Sequence, residues 1–250
     1  VIFHQNPMKN LTIIVLAAGK GTRMNSSLPK VLHKINNKPI IHFVIEKSMA
    51  LNPNKIILII GYKKDLVKES VKNFDINFAY QEQQKGTAHA IEQCIPQIKK
   101  LAGNTLVLSG DVPLISIKTL DKLISIHSKN NSIASILSAD INDPSGYGRI
   151  IRNNSNDFLK IIEHKDATSK QLKINEINSG IYIFDTNILC EKIFSIKNNN
   201  MQNEYYLTDI FNYVNTASVS IYKTDNIDEI NGVNTIEQLE NLEESIIDEQ

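Results

Sequence analysis

The chain has 250 residues, no formal net charge at neutral pH and 42% hydrophobic residues. A chain of this size and composition can bury a complete core, so we expect one α/β domain, or such a domain with a small lobe. Its 27 basic and 27 acidic residues cancel, and neither sign forms a long block. This balance excludes nucleic acid and anionic membranes as expected partners, and any anion site must be local.

Cysteine usage and hydropathy favour a cytoplasmic location. Cys94 and Cys190 are far apart and lack the spacing of metal ligands. No apolar run approaches the roughly 20 residues that cross a bilayer, and residues 1–10 contain no secretory core segment. We therefore expect a cytoplasmic protein in which residues 1–10 are an N-terminal extension outside the fold.

Strand and helix patterns alternate along the first half of the chain. β-branched runs predict strands at 11–17, 55–60, 76–80 and 104–109. Periodic apolar residues predict helices at 39–49, 63–73 and 87–102. Pro96 should kink the last of these helices. Apolar strands separated by amphipathic helices indicate a mostly parallel sheet that is covered on both faces.

The regular alternation of strand and helix patterns ends after about residue 130. Strand-like segments joined by turn residues predict a β-rich part, with helices returning at 187–196 and 204–215. The final segment, 234–250, places apolar side chains on one helical face, namely Ile236, Leu239, Leu242 and Ile246. We expect a mixed sheet with a small β-rich lobe and a terminal helix.

A glycine-rich stretch, "LAAGKGTRMNSSLPK" (16–30), follows the first predicted strand. It fails the Walker pattern G-x-x-x-x-G-K-S/T, because Gly21 follows Lys20 and no glycine stands five places before Gly19. It also fails the dinucleotide pattern G-x-G-x-x-G, because Met24 occupies the third glycine position. Backbone N–H groups and cations after a strand still suit an anion. A strand-to-helix turn with solvated cations remains the alternative.

This stretch resembles the signature of the sugar-nucleotide nucleotidyltransferases, L-x-x-G-x-G-x-R-M followed by P-K. Further segments resemble, in order and spacing, the uridyltransferase domain of the bifunctional N-acetylglucosamine-1-phosphate uridyltransferase/glucosamine-1-phosphate acetyltransferase family: "QQKGTAHAI", "GDVPLI", "DPSGYGRIIR", "IIEHKDAT", "EINSGIYIF", "NEYYLTDI" and "GVNTIEQL". The resemblance implies a Rossmann-like nucleotidyltransferase fold over residues 11–250. Residues 11–130 would bind the nucleotide, residues 131–233 the sugar, and residues 234–250 would form the terminal helix.

The resemblance also implies a reaction, the transfer of UMP from UTP to N-acetylglucosamine 1-phosphate. The products, UDP-N-acetylglucosamine and pyrophosphate, would arise by direct displacement at the α-phosphate, and the family role is to supply peptidoglycan and lipopolysaccharide precursors. Two highly charged substrates repel each other, so cations and positioning must lower the barrier. The residues implied as catalytic are Arg23 and Lys30, while Lys20 stays unassigned between phosphate contact and solvent.

A magnesium site is implied at Asp111 and Asn234. Oxygen ligands suit Mg²⁺, which keeps several waters and takes phosphate ligands. Each residue has a structural alternative, since Asp111 could be a turn residue before Pro113. Asn234 could start the last helix as the first residue of an "NTIE" capping box with Glu237.

Binding residues are carried over in the same way. The nucleotide-binding residues implied are Leu16, Ala17, Ala18, Gly19, Gly21, Gln81, Gly86 and Thr87. The sugar-binding residues implied are Gly110, Gly148, Glu163, Asn178, Tyr206 and Thr208, with the last two of second rank. Ser109 stands before "GD" where several relatives carry an aromatic residue, which leaves that ribose contact open.

Two alternatives to this function remain open. One is another sugar-nucleotide pyrophosphorylase, using UTP with glucose 1-phosphate or using dTTP, and the other is a non-catalytic nucleotide-sugar sensor. The hexapeptide-repeat β-helix of the bifunctional family is not visible before Gln250. We therefore expect no acetyltransferase activity from this chain, and a monomer or weak oligomer.

Overall fold

The computed structural model describes residues 10–248. Residues 1–9 of the predicted extension and residues 249–250 lie outside the described residues, as do the side chains from residue 245 onward, including Ile246. The strands are β1 Leu11–Ala17, β2 Lys34–Ile35, β3 Lys38–Pro39, β4 Lys55–Ile60, β5 Asn77–Tyr80, β6 Asn104–Ser109, β7 Ala134–Asp140, β8 Arg149–Arg152, β9 Phe158–Ile162, β10 Glu176–Asp185 and β11 Val219–Lys223. The α-helices are α1 Ile40–Ala50, α2 Lys64–Ser70, α3 Thr87–Glu92, α4 Ile95–Ile98, α5 Ile117–Lys129, α6 Thr186–Lys192 and α7 Ile236–Asp248.

Nine of these strands form one mixed sheet. The strand order is β11, β7, β10, β6, β1, β4, β5, and β8 branches from β10 to pair with β9. Strands β6, β1, β4 and β5 are mutually parallel, whereas β10 runs antiparallel to both β6 and β7. This confirms the predicted mostly parallel mixed sheet with flanking helices, and it places the strands of the β-rich part in continuity with the first half.

The apolar core lies on both faces of the sheet, as the runs of apolar strand residues predict. On β1, Ile13 and Val15 face one layer, where α1, α2 and α5 pack, while Ile14 faces the other layer with α3, α4 and α6. All three of these side chains are fully buried. A strand of this kind has no solvent face, which is why its sequence shows no polar alternation.

A small third cluster packs apart from these two layers. Met24 of the glycine-rich loop joins Ile35 and Ile40 near α1, and Val233 and Leu239 near the start of α7. Burial of apolar area contributes about 25 cal/mol per Å² to stability, so this cluster anchors the loop against the last helix. The two neighbouring residues, Arg23 and Asn234, are thereby brought to the same place.

Two predicted helices differ from the structure. The helix expected over 87–102 is divided into α3 and α4, and Pro96 is the second residue of α4, where its missing N–H removes no helical hydrogen bond. The helix expected over 204–215 is a 3₁₀ helix, Leu207–Tyr213. It begins late because Tyr206 is extended and Tyr205 bonds to the 85–88 segment, with Tyr205 N donating to Lys85 O at 2.8 Å.

Within the described residues, no helix combines the length and the apolar character needed to traverse a membrane.

An ion pair joins the β8 branch to the main sheet. Arg152 Nε and Nη2 donate to the two carboxylate oxygens of Glu176 at 2.7 and 2.8 Å, and Ser138 Oγ donates to Glu176 Oε1 at 2.9 Å. Burial opposes ionisation of Glu176, but the hydrogen bonds from Arg152 and Ser138 prevail and lower its pKa. The carboxylate is therefore favoured in the folded state.

We predict that Glu176→Gln lowers the free energy of unfolding at pH 7 by about 1–3 kcal/mol, because it leaves Arg152 without its charged partner. A lowered folded-state pKa stabilises the protein above the unfolded pKa of about 4.3, and this contribution is lost as the pH falls through the folded-state value. Urea unfolding should thus show the two proteins converging at low pH. Asp140→Asn, which breaks the exposed pair with Lys223, should change stability by less than about 0.5 kcal/mol. Equal losses in the two variants would contradict a special role for Glu176.

Candidate active site

A cleft of about 340 Å³ opens where β1 and β6 end, the edge at which open α/β sheets bind ligands. Predicted nucleotide-binding residues make up much of its wall, namely Leu16, Ala17, Ala18, Gly19, Gln81, Gly86 and Thr87. Lys30 and Asp111 also line it. The structure therefore brings the predicted nucleotide residues together with one predicted catalytic residue and one predicted metal ligand.

The glycine-rich loop reaches this cleft through a left-handed residue. Gly21 has φ +64°, and a Cβ at this position would lie 2.5 Å from Lys30 Cβ. The chain then makes a single 3₁₀ turn over Thr22–Met24, which buries Met24 and leaves Arg23 exposed. Lys30 returns after Pro29 and lies directly against Gly21, so the glycine is what permits this approach.

Four polar side chains meet at the end of β6. Lys30 Nζ donates to Asp111 Oδ2 in a short hydrogen bond and to Asn234 Oδ1 at 3.1 Å. Arg23 Nη2 donates to the same Asn234 oxygen at 2.8 Å. Lys30 and Asp111 are both largely shielded, with side-chain exposures of 19% and 13%. Two cations, one carboxylate and one amide thus share one point of the cleft.

The charge state of Asp111 is set by these neighbours. Burial alone would raise the pKa of this carboxyl group, but the Lys30 ammonium and a hydrogen bond from Ser109 hold it below its usual range. Ser109 therefore supports Asp111, a role that the sequence did not indicate.

The start of α7 explains why Asn234 is available. Thr235 Oγ1 accepts from Gln238 N at 3.2 Å, while Gln238 Oε1 accepts from Thr235 N at 3.2 Å and from Asn234 N at 2.7 Å. The capping box therefore begins at Thr235, one residue later than the Asn234–Glu237 alternative. The side chain of Asn234 is not used as the helix cap and points its oxygen at Arg23 and Lys30.

Asp111 and Asn234 present the kind of oxygen atoms that a hard cation prefers, and an ammonium already lies on both. Among the side chains that the structure describes, those of residues 10–244, no three or more His, Cys, Asp or Glu residues group as metal ligands. A cation held here would therefore have two protein ligands and would take the rest from water or phosphate, which is the habit of Mg²⁺.

One end of the cleft is formed by the loop after β5. Gln81 is buried, and its Nε2 donates to Gly86 O at 2.9 Å and lies 3.1 Å from His89 Nδ1. Gln84 Nε2 donates to Gln81 O at 3.0 Å. Both amide nitrogens are thus held by the protein, and no contact of either Oε1 is found within the described residues. Gln81 offers the cleft an acceptor.

Three further polar residues of this cleft were not assigned a binding role from the sequence, namely Gln84, Glu204 and Ser109. Gln84 lies in the same loop as Gln81, three residues on, which is the one local signal that could have found it. Glu204 enters because Tyr205 pairs with the 85–88 segment, and Thr87 Oγ1 accepts from Leu207 N at 2.9 Å. Such a contact across 120 residues leaves no local pattern.

Most of the predicted sugar residues form a second group. Thr208 Oγ1 donates to Glu163 Oε1 at 2.8 Å, and Asn178 N donates to Gly148 O at 2.9 Å. A Cβ on Gly148 would lie 3.4 Å from Glu163 Oε2, so these residues share one small region. Tyr206 is buried and lines a cavity of about 250 Å³ together with Glu163.

Burial raises the pKa of Glu163, and the charges of Asp209, Asp166 and Glu204 add to this effect, while the hydrogen bond from Thr208 opposes it. Carboxylates with raised pKa values in concave sites are candidates for ligand contact. In its ionised form, Glu163 is therefore destabilised by its surroundings.

Tyr147 connects the sugar group to the four-residue junction. It follows Ser145 and Gly146 in the turn before Gly148, and burial raises the pKa of its hydroxyl, with the Asp111 charge adding to the shift. A hydrogen bond from the Gly232 backbone and the charge of Arg23 act in the opposite sense. Gly232 in turn lies against Asp111, since a Cβ there would be 3.2 Å from Asp111 Oδ2, so the hydrogen bond to Gly232 brings the Tyr147 hydroxyl close to Asp111.

Two residues lie apart from the predicted grouping. Gly110, implied for the sugar, donates its N–H to Leu16 O at 2.9 Å and packs on β1 and α1. It therefore lies beside the nucleotide residues and not with Gly148 and Glu163. Lys20 is exposed, and its ammonium forms no hydrogen bond or ion pair with the part of the chain that the structure describes.

The fold is that of an α/β protein whose cleft lies at the carboxyl ends of its parallel strands. Residues 12–239 match the family described as Nucleotidyl transferase, and the chain belongs to that family. It is 48% identical over 93% of its length to the bifunctional protein GlmU of Thermosipho melanesiensis and 42% identical over 91% to that of Bacillus cereus, in each case covering 50% of the relative. The chain thus spans about half the length of these curated relatives.

A solved structure also resembles the chain. It is UDP-glucose pyrophosphorylase complexed with UDP-glucose, with a TM-score of 0.76, 20% identity, and coverage of 97% of this chain and 100% of that one. At this identity the likeness shows the fold alone, and it confirms the predicted nucleotidyltransferase fold.

We predict that Gly21→Ala lowers the free energy of unfolding by about 1–3 kcal/mol, because an alanine is strained at positive φ and its Cβ would overlap Lys30. Gly19→Ala is the matched control in the same loop, since a Cβ there meets nothing within 4 Å. It should change stability by less than about 0.5 kcal/mol. Thermal unfolding measures both, and equal effects would contradict the contact with Lys30.

Proposed function

We propose that the chain transfers UMP from UTP to N-acetylglucosamine 1-phosphate, giving UDP-N-acetylglucosamine and pyrophosphate. The observation that carries the proposal is the junction of Arg23, Lys30, Asp111 and Asn234. Lys30 and Asp111 of this junction line the same cleft as Gln81. The Tyr147–Gly148 turn runs from Gly232, which lies beside Asp111, to the Glu163 group. A nucleotide and a sugar phosphate bound at these two ends would meet at the junction. The relatives at 42–48% identity support the same reaction.

The reaction is a direct displacement at the α-phosphate of UTP, in which a phosphate oxygen of the sugar phosphate forms the new bond and pyrophosphate leaves. Repulsion between the two phosphates is the main obstacle, and fixed positive charge reduces it most when it is held in place beforehand. Arg23 and Lys30 would supply this charge. No covalent nucleophile is required.

Asp111 and Asn234 would hold Mg²⁺, because they offer a carboxylate and an amide oxygen at a point that already accommodates an ammonium group. When bound, the ion supplies further neutralisation of the phosphates. The lowered pKa of Asp111 keeps the carboxylate ionised and ready to bind a cation.

Gln81 would select the base. Its amide nitrogen is occupied by Gly86 O and His89, so the group that it presents is the acceptor Oε1. The N3–H of uracil is a donor and complements this acceptor, whereas N3 of cytosine is itself an acceptor. The loop therefore favours UTP over CTP.

The test is pyrophosphate release by the purified chain, with UTP, dTTP and CTP each combined with N-acetylglucosamine 1-phosphate or glucose 1-phosphate, with and without Mg²⁺. We expect Mg²⁺-dependent turnover that is fastest with UTP and N-acetylglucosamine 1-phosphate. A clear preference for glucose 1-phosphate or dTTP would identify another pyrophosphorylase. No turnover with any pair would refute the proposal in favour of a sensor. The reaction would take place in the cytoplasm, where its nucleotide substrate is made.

Removal of either cation should slow the reaction with little effect on folding. We predict that Arg23→Ala and Lys30→Ala each lower kcat/KM by about 100-fold or more, since charge that stabilises the transition state is lost. Lys34→Ala, which removes an exposed lysine of β2, is the control and should keep kcat/KM within about 2-fold. Steady-state pyrophosphate release measures the effect, and unchanged turnover would remove that cation from the mechanism.

A second prediction separates binding from stability at Glu163. Burial raises the pKa of the Glu163 carboxyl group, so its ionised form destabilises the folded state of the parent chain above the folded-state pKa. Glu163→Gln keeps an acceptor for Thr208 but removes this ionisable group. Stability of the parent chain should therefore fall as the pH rises from the unfolded value of about 4.3 through that pKa, and the variant should lack this fall.

At pH 8 we expect Glu163→Gln to be no less stable than the parent chain, while its KM for the sugar phosphate rises about 10-fold through loss of a charged acceptor. Urea unfolding and steady-state kinetics measure the two effects. A lower stability with an unchanged KM would show that Glu163 is structural.

A further inference from the structure

A bulge in β10 brings together two side chains that a regular strand would keep apart. The pairing of β10 with β7 shifts register between Asn178 and Tyr182, and Gly180 between them has φ +79°. Residues four apart in a regular strand are separated by about 13 Å. Here Asn178 Nδ2 lies 2.6 Å from the Tyr182 hydroxyl oxygen.

The orientation of the Asn178 amide follows from its second contact. The Gly180 N–H donates to Asn178 Oδ1 at 3.2 Å, so the amide nitrogen must be the atom that faces Tyr182. Since that nitrogen is only a donor, the tyrosine oxygen accepts. One hydrogen on Nδ2 and one lone pair on Oδ1 remain for a ligand.

Tyr182 is held too firmly to turn away from Asn178. Its side chain is only 3% exposed, and its ring packs at 5.8 Å from Phe184 and 6.0 Å from Phe211, measured between ring centroids. The charge of Glu163 adds to the effect of burial in raising the pKa of the Tyr182 hydroxyl. The tyrosine is therefore a rigid acceptor for the Asn178 amide.

We propose that Tyr182 is a positioning residue that fixes the Asn178 amide to recognise the acetamido group of the sugar substrate. An acetamido group is a trans amide whose N–H and carbonyl oxygen point to opposite sides, so Asn178 can pair with only one of them, and its free Nδ2 hydrogen matches the carbonyl oxygen. A hydroxyl on the same sugar carbon ends two bonds short of that carbonyl oxygen and leaves the fixed amide hydrogen unpaired, and unpaired polar groups discriminate strongly between substrates. The inference rests on the proposed function and adds the residue that determines its sugar specificity.

The test compares kcat/KM for N-acetylglucosamine 1-phosphate and for glucose 1-phosphate in the parent chain, Tyr182→Phe, Asn178→Ala and the double variant. We expect Tyr182→Phe to reduce the preference for the acetamido sugar by about 10-fold, through a higher KM for that sugar, with the KM for UTP unchanged. The double variant should show the same preference as Asn178→Ala alone, because Tyr182 acts through Asn178.

Ser48→Ala is the control for loss of a buried hydroxyl, since Ser48 is fully buried in α1 and donates to Val44 O at 2.8 Å. It should leave the sugar preference unchanged. Tyr182→Leu provides a second apolar replacement with the same expected loss, and circular dichroism checks that each variant is folded.

An unchanged preference in the folded Tyr182 variants would overturn the inference, and so would an equal loss with both sugars. A double variant whose preference is lower than that of Asn178→Ala would also overturn it. All three results leave the proposed function standing if the parent chain makes the nucleotide sugar. A parent chain that releases no pyrophosphate overturns the proposed function and this inference together.

Discussion

The contact of the Lys30 ammonium with Asp111 and Asn234 is the interaction around which the site is organised. Its partners are 81 and 204 residues away along the chain. The three residues come from different elements. Lys30 follows the loop after β1, Asp111 lies just after the end of β6, and Asn234 precedes the cap of α7. Because a shielded ammonium is costly without oppositely charged or polar partners, these three segments must come together for the cleft to form.

Apolar packing beneath the site brings the glycine-rich loop and the start of α7 together. Met24 and Val233 are buried in one small cluster, and each is the immediate neighbour of a polar residue of the junction, Arg23 or Asn234. The cluster also contains Leu239, which packs α7 against the loop. The polar side chains of Arg23 and Asn234 thus meet at the junction, while their apolar neighbours stabilise the fold.

Local pattern was sufficient to predict β1, β4 and β6, because a strand buried on both faces is apolar at every position. It failed for the 204–215 segment, where backbone bonds between Tyr205 and the distant 85–88 segment override helical periodicity. The capping box was displaced by one residue because Thr235 and Gln238 compete with Asn234 and Glu237 for the same role. For the site, the glycine-rich loop was recognisable and Gln84 lies only three residues after Gln81, whereas Glu204 enters the cleft through a tertiary contact that no spacing reveals.

Strand β10 connects the region of Asn178 and Glu163 to the strand that ends beside Asp111. It pairs directly with β6, with Tyr182 opposite Val107, and β6 ends beside Asp111. The same strand carries Asn178 at its bulge and Glu176 in the ion pair with Arg152. A shift of β10 would therefore move Asn178 relative to Asp111, and the ladder to β6 resists such a shift because all its hydrogen bonds would have to break together. The spacing between Asn178 and the junction of Arg23, Lys30, Asp111 and Asn234 is consequently fixed by the sheet. The proposed specificity of Asn178 would therefore depend on Tyr182 without any change at the groups proposed to act on the phosphates.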